Sequence, residues 1–227
     1  MIEEISKLDL NDTLGIILGL KSHPEFIDGK RQSTLLLALK SARYLTGRNI
    51  ETGKYVNPVN PANFEFDMAW KVGYHSTVLI GLTNYLIFLD LIGCVFVPKN
   101  RNRKHSKVEF EDALYFFANN SSLSKSEMEA LKQLRNSLAH NFGLATPGYN
   151  FSLSPKYAHL IKLPLVSKRE STEASSKKSS FTEINELKLC ELVEDVYATV
   201  CSEFKDGNIT IRPSLSKNEL IERFTLE

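Results

Sequence analysis

Residues 78–97, VLIGLTNYLIFLDLIGCVFV, hold thirteen Val, Leu, Ile or Phe among twenty positions, and this run constrains the fold more than any other. A stretch of that length and composition either crosses a bilayer or runs through the centre of a protein. Insertion energetics alone leave both open. Each apolar residue gains roughly 0.3–0.6 kcal/mol in a membrane, while a central Asp costs roughly 2.5–3.5 kcal/mol, so Asp90, Asn84, Thr83 and two glycines do not outweigh the rest. Periodicity is more informative. Ser76, Thr83 and Asp90 recur every seven residues, and Thr77 and Asn84 run beside them. A narrow polar stripe on an otherwise apolar helix is expected of the central helix of a soluble bundle with one wet or hydrogen-bonded seam. The expectation is therefore a core helix, not a membrane span.

The charge balance narrows the function classes. Lys plus Arg number 28 against 27 Asp plus Glu, a net charge of +1, which excludes polyanion binding driven by global charge. A local patch remains in KNRNRKHSK at 99–107, where Lys99, Arg101, Arg103, Lys104 and Lys107 are able to track an RNA backbone. Cys94, Cys190 and Cys201 are odd in number and form no Cys-x-x-Cys pair. A disulfide framework is not expected, and a reducing cytosol is the natural compartment. The opening MIEEISKLDL lacks the basic-then-apolar order of a secretory signal.

Along the chain, residues 30–46 predict a helix closed by Gly47. Asn57-Pro58 and Asn60-Pro61 mark a loop, and a long helix follows over 65–97, ended by Pro98. Residues 109–119 predict a short helix. Ser124 and Glu127 form a capping box that opens another, running to about His140 or Asn141 with Gly143 as the stop. Two alternating runs, 149–154 and 159–166, predict a hairpin or a pair of edge strands. Residues 167–180, SKRESTEASSKKSS, hold no apolar residue larger than Ala174 and predict a flexible loop. Residues 183–205 carry apolar positions at helical spacing up to Asp206-Gly207. Asn208–Arg212 suits a strand, and Ser216 with Glu219 caps a last short helix. The expected fold is one mainly α domain over 1–227, a helical bundle of about five helices. Its core helices occupy 30–143, a small β-hairpin excursion and flexible loop occupy 144–182, and a C-terminal helix and tail occupy 183–227.

The helix opened at Ser124 carries the chemistry. At 100° per residue, Met128, Leu134, Leu138 and Phe142 fall within about 60° of Leu131 and define a buried face. Glu129, Gln133, Asn136 and His140 form a polar stripe opposite. Arg135 falls about 40° from Leu131, inside the apolar stripe. A guanidinium there stays charged, so it requires a carboxylate, a cluster of carbonyls or an anionic ligand; Asp90, Glu111 and Glu129 are the intrachain candidates.

Residues 134–141, Leu-Arg-Asn-Ser-Leu-Ala-His-Asn, resemble the Arg-x4–6-His motif of the HEPN superfamily, helical proteins of prokaryotic defence, toxin–antitoxin and RNA-processing systems. The polar residue directly after the arginine, here Asn136, is also typical of that motif. The resemblance covers the motif helix closely and is compatible in layout over 65–205. It implies metal-independent RNA cleavage in which the ribose 2′-hydroxyl attacks its own phosphate, leaving a 2′,3′-cyclic phosphate and a 5′-hydroxyl. It also implies His140 as the acid/base, Arg135 as the phosphate clamp, Asn136 as an orienting group and no cofactor, within a homodimer that meets near the motif and has RNA and an antitoxin or defence protein as partners. These roles suit the residue types. An imidazole titrates near neutrality, and a guanidinium offers a planar fork to a phosphate. On a straight helix Arg135 and His140 lie about 140° apart, so they converge only if the last turn deforms or if two chains each supply one.

A blander reading stands beside this one. A histidine at a helix C-terminus is favourable through the macrodipole alone, Arg135 then serves a structural ion pair, and the chain is a non-catalytic module that binds a protein or nucleic acid. His23, His75, His105 and His159 show no metal-ligand spacing, and no Gly-rich phosphate loop or Gly-x-Ser-x-Gly elbow is present.

Overall fold

The computed structural model describes residues 8–23, 32–55, 68–99, 108–118, 123–164 and 181–226. Seven helices and eight short strands appear among them: α1 (Leu10–Ile17), β1 (Gln32–Ser33), α2 (Thr34–Leu45), α3 (Met68–Val95), β2 (Phe96–Pro98), α4 (Glu109–Phe117), α5 (Lys125–Asn141), β3 (Ala145–Thr146), β4 (Tyr149–Leu153), β5 (Ile161–Lys162), β6 (Thr182–Ile184), α6 (Glu186–Lys205), β7 (Ile209–Ile211), α7 (Lys217–Phe224) and β8 (Thr225–Leu226).

The apolar run is α3, and it is the axle of the core. Leu82, Tyr85, Leu86, Phe88, Leu89, Ile92 and Val95 are all fully buried, enclosed by α2, α4, α5 and α6. Thr77–Val95 is long and apolar enough to cross a membrane, but 61% of that window is buried inside the protein. A helix hydrophobic nearly all round finds its apolar surroundings in its neighbours here. Two of its glycines, Gly81 and Gly93, explain how close those neighbours come. A Cβ at Gly93 would stand 1.8 Å from the Glu109 carbonyl oxygen at the start of α4, and one at Gly81 would stand 2.6 Å from Thr46 Cγ2 at the end of α2. Only residues without a side chain allow these crossings.

The expected five-helix bundle is not what forms. The fold is a mixed α/β arrangement: among the described residues, seven helices with a four-stranded sheet and two two-stranded sheets. Helix α1 adds to the N-terminal side, with Asp9 as its N-cap. The end of the long apolar run leaves the helix as β2, where aromatic and β-branched residues before Pro98 favour extended backbone. Strand β2 pairs antiparallel with β7, Phe96 opposite Ile211 and Pro98 opposite Ile209. Strand β1 pairs antiparallel with β8, joining the start of α2 to the end of the described chain. These pairings connect segments more than a hundred residues apart, so no local sequence pattern announces them.

The expected hairpin is also corrected. Strands β4 and β5 do not pair; the sheet order is β3-β4-β6-β5, with β6 parallel to β4 and antiparallel to β5. Strand β6 is able to insert because Thr182 and Ile184 bury on one face while Glu183 points away, the alternation of a half-buried strand. It takes the first residues of the expected last long helix, which starts at Glu186 with Asn185 as its N-cap.

Candidate functional site

Helix α5 begins where the capping box places it. The Ser124 hydroxyl accepts from Glu127 N–H at 3.3 Å, and Glu127 Oε2 accepts from Ser124 N–H at 2.8 Å. Ala130, Leu131, Leu134, Ser137 and Leu138 are buried along it. Phe142 departs from the expected apolar face: it is 67% exposed. The helix has already ended there, because Phe142 takes the left-handed conformation with φ 48°, the role expected of Gly143. Buried Ser137 secures the exit, its hydroxyl lying 2.7 Å from the Gly143 carbonyl and 3.1 Å from that of Ala145. The helix terminus thereby feeds directly into β3.

Arg135 points from this helix to α3. Its Nε–H donates to Asp90 Oδ2 at 2.5 Å, Nη2 donates to the same oxygen, and Nη1 donates to Asn136 Oδ1 at 2.8 Å. The Arg135 side chain is 29% exposed and that of Asp90 19%, so the pair lies at the rim of the core and is not sealed within it. Burial pushes the Asp90 carboxyl above its ordinary range; Arg135 pulls it down, and the nearby Glu109 charge adds to the upward push. Glu111 and Glu129 serve another partner, since Lys132 binds both at 3.2 and 3.0 Å. Glu129 also accepts from Gln133 at 2.8 Å, which with Lys132 holds its carboxyl below the usual range.

His140 is exposed on the last turn of α5. Asn136, half-buried, is its i,i+4 neighbour and also the acceptor for Arg135, so Asn136 adjoins both motif residues on the helix surface. Helix α5 runs on to Asn141, which keeps Arg135 and His140 about 140° apart within one chain. Of the expected polar seam on α3, Asp90 reaches the motif. Thr83 is buried and closes on its own helix, donating to the Leu79 carbonyl at 2.8 Å, and Asn84 is half-buried. The side chains of His75 and Ser76, and the candidate RNA contacts Arg101, Arg103 and Lys104, lie outside the described residues. Among the described residues no three His, Cys, Asp or Glu side chains group as a metal site would need.

A second buried cation was not singled out from the sequence. Arg43 on α2 is 5% exposed. It holds the Glu194 carboxylate of α6 through Nε at 2.9 Å and Nη2 at 2.7 Å, and its Nη1 donates to the carbonyls of Ile50 and Glu51 at 2.9 and 3.0 Å. Tyr85 of α3 donates its hydroxyl to Glu194 Oε1 at 2.7 Å, and the Tyr197 ring lies 5.5 Å from the guanidinium. Burial and the Glu194 charge raise the Tyr85 hydroxyl well above its ordinary pKa. Beside it Arg48 binds the Gly53 carbonyl at 2.9 Å. Cys190 is buried beside this cluster, and burial pushes its thiol up to about 12. The signal was the one that marked Arg135: a cation beside an apolar helical stripe, here Leu35, Leu39 and Ala42. Arg43 uses all three of its nitrogens on protein acceptors, while Arg48 Nε is buried without a partner among the described residues, and the cluster clamps the 46–55 loop onto α3 and α6.

Comparison of the chain with protein-family models, with curated proteins and with solved structures gives no match.

Proposed function

We propose that this chain is a HEPN-like, metal-independent endoribonuclease of a defence or toxin–antitoxin system, acting in the cytoplasm. The observation that carries the reading is the string Asp90–Arg135–Asn136 on a helix whose last turn presents exposed His140, with the Arg135 side chain 29% exposed at the rim of the core. His140 takes the proton from the ribose 2′-hydroxyl and returns one to the leaving 5′-oxygen. Arg135 holds the phosphate as negative charge gathers in the transition state. Asn136 orients the two, and the basic 99–107 segment, with Arg101, Arg103 and Lys104, follows the RNA backbone.

Because α5 stays helical through Asn141, one chain keeps Arg135 and His140 on different sides of the helix. The reading therefore includes a homodimer with the two His140 side chains in one shared groove, where Arg135 of one chain meets His140 of the other. Exposed Phe142, two residues beyond His140, supplies apolar surface for that contact. An antitoxin or other defence protein is the partner expected to restrain it.

The test is cleavage of single-stranded RNA by the purified chain. Activity is expected to persist in EDTA, to leave cyclic-phosphate ends and to fail on substrates with 2′-deoxyribose at the scissile position. His140→Ala is expected to lose roughly 10²–10⁴-fold, with a comparable loss for Arg135→Ala and incomplete rescue by Arg135→Lys, which lacks the fork. Cleavage by folded alanine variants at the wild-type rate refutes the assignment. The pairing of Arg135 with Asp90 inside the chain favours one second reading, a non-catalytic module that binds protein or nucleic acid. That reading gains if the wild-type chain binds RNA without cutting it.

A further inference from the structure

Resting on the ribonuclease reading, the geometry points to Asp90 as a built-in competitor for the substrate: we propose that it occupies Arg135 until a phosphate displaces it, so that entry of a phosphodiester is an exchange of anions. Nε and Nη2 of Arg135 both converge on Oδ2 of Asp90, and these are donors of the fork that a phosphate would use. Nη1 is held by Asn136. Three of the five N–H donors are thus engaged before any ligand arrives, and the phosphate gains the Nε–Nη2 fork only as Asp90 lets go.

The pair is built to release. In the Arg43–Glu194 and Arg212–Asp112 pairs the arginine side chains are 6% and 12% exposed, against 29% for Arg135. Glu194 is also anchored by the Tyr85 hydroxyl. Among the described residues Asp90 accepts hydrogen bonds from Arg135 alone. Glu109, at the start of α4, repels its charge, and burial disfavours its ionised form. The carboxylate therefore sits in an unfavourable place that Arg135 makes tolerable. A permanent clamp has no reason to lack a third partner, whereas an exchangeable one does.

The experiment titrates the full-length chain with inorganic phosphate and follows the Arg135 Nε–H and the Asp90 carboxyl resonances by NMR. In the wild type both are expected to move with one midpoint. Asp90→Asn keeps the shape and an acceptor oxygen but removes the competing charge. It is expected to bind phosphate more tightly by a factor of up to roughly five, the scale of a partly exposed ion pair, and Arg135→Ala is expected to abolish the binding. Equal phosphate affinity in wild type and folded Asp90→Asn overturns the proposal. If that variant does not fold, wild-type saturation without movement of the Asp90 carboxyl overturns it instead, and coupled movement supports it. RNA cleavage separates the two ideas. His140-dependent cutting with no gain of phosphate affinity in Asp90→Asn removes the exchange and leaves the ribonuclease; coupled displacement without any cutting does the reverse.

Discussion

Removal of the Glu194 side chain tests whether the buried cluster holds the core together. Glu194→Ala strips the carboxylate from Arg43, whose side chain is 6% exposed, and leaves the Tyr85 hydroxyl without its acceptor. Arg43 keeps two backbone carbonyls but carries an uncompensated buried charge. Breaking one side of such a pair costs about 3–5 kcal/mol. For a chain of this size each kcal/mol moves the melting temperature by about 2–4 °C, so a drop of about 6–20 °C is expected. Chemical denaturation followed by circular dichroism gives the free energy directly. The double variant Arg43→Met with Glu194→Met removes both charges and is expected to lose less than the single one, because a paired burial is replaced by apolar packing. A loss under about 1 kcal/mol for Glu194→Ala, within the range of an exposed pair, refutes the view that desolvated charge dominates here. A double variant no better than the sum of the singles does the same.

Gly93→Ala brings a Cβ to 1.8 Å from the Glu109 carbonyl oxygen, so α3 and α4 have to separate; a loss of about 3 kcal/mol or more is expected, and a melting curve like wild type rules out that crossing. Ser137→Ala leaves the Gly143 and Ala145 carbonyls without the hydroxyl that meets them. A loss of about 1–3 kcal/mol is expected, with faster amide exchange over residues 143–151 than elsewhere; uniform exchange counts against a role as the helix exit clamp. The raised Asp90 carboxyl predicts a pH signature. Its folded form holds a proton that the unfolded form has released, so the wild type loses stability relative to Asp90→Asn as pH rises from about 4 through the folded pKa, and the difference flattens below that range. A stability difference that widens in favour of wild type over the same interval has the wrong sign for this mechanism.

The local elements were legible in the sequence because their causes are local. Ser124 with Glu127 and Ser216 with Glu219 announce helix starts through side chains that reach only three residues along the chain. The seven-residue spacing of Thr83 and Asp90 indicated a core helix, and an arginine in the apolar stripe of α5 already implied a partner. Which partner was a tertiary matter. Asp90, Glu111 and Glu129 were equally available to Arg135 by charge, and the selection followed from Lys132 engaging the last two while α3 brings Asp90 alongside.

The strand pairings were illegible for the same reason, although the runs read as extended at 149–154, 159–166 and 208–212 contain β4, β5 and β7. Two- and three-residue strands carry almost no periodicity, and β1–β8, β2–β7 and β4–β6 join segments whose meeting depends on how the helices stack. Phe142 shows the limit most sharply. Wheel arithmetic puts it on the buried face only while the chain remains helical, and its left-handed backbone turns it out to solvent one residue after the helix ends. Spacing along the chain thus determined where helices begin and which side chains needed company. The packing of α3 against its neighbours decided which charges meet, because a buried ion has to be matched in space, by whatever residue the fold brings within reach.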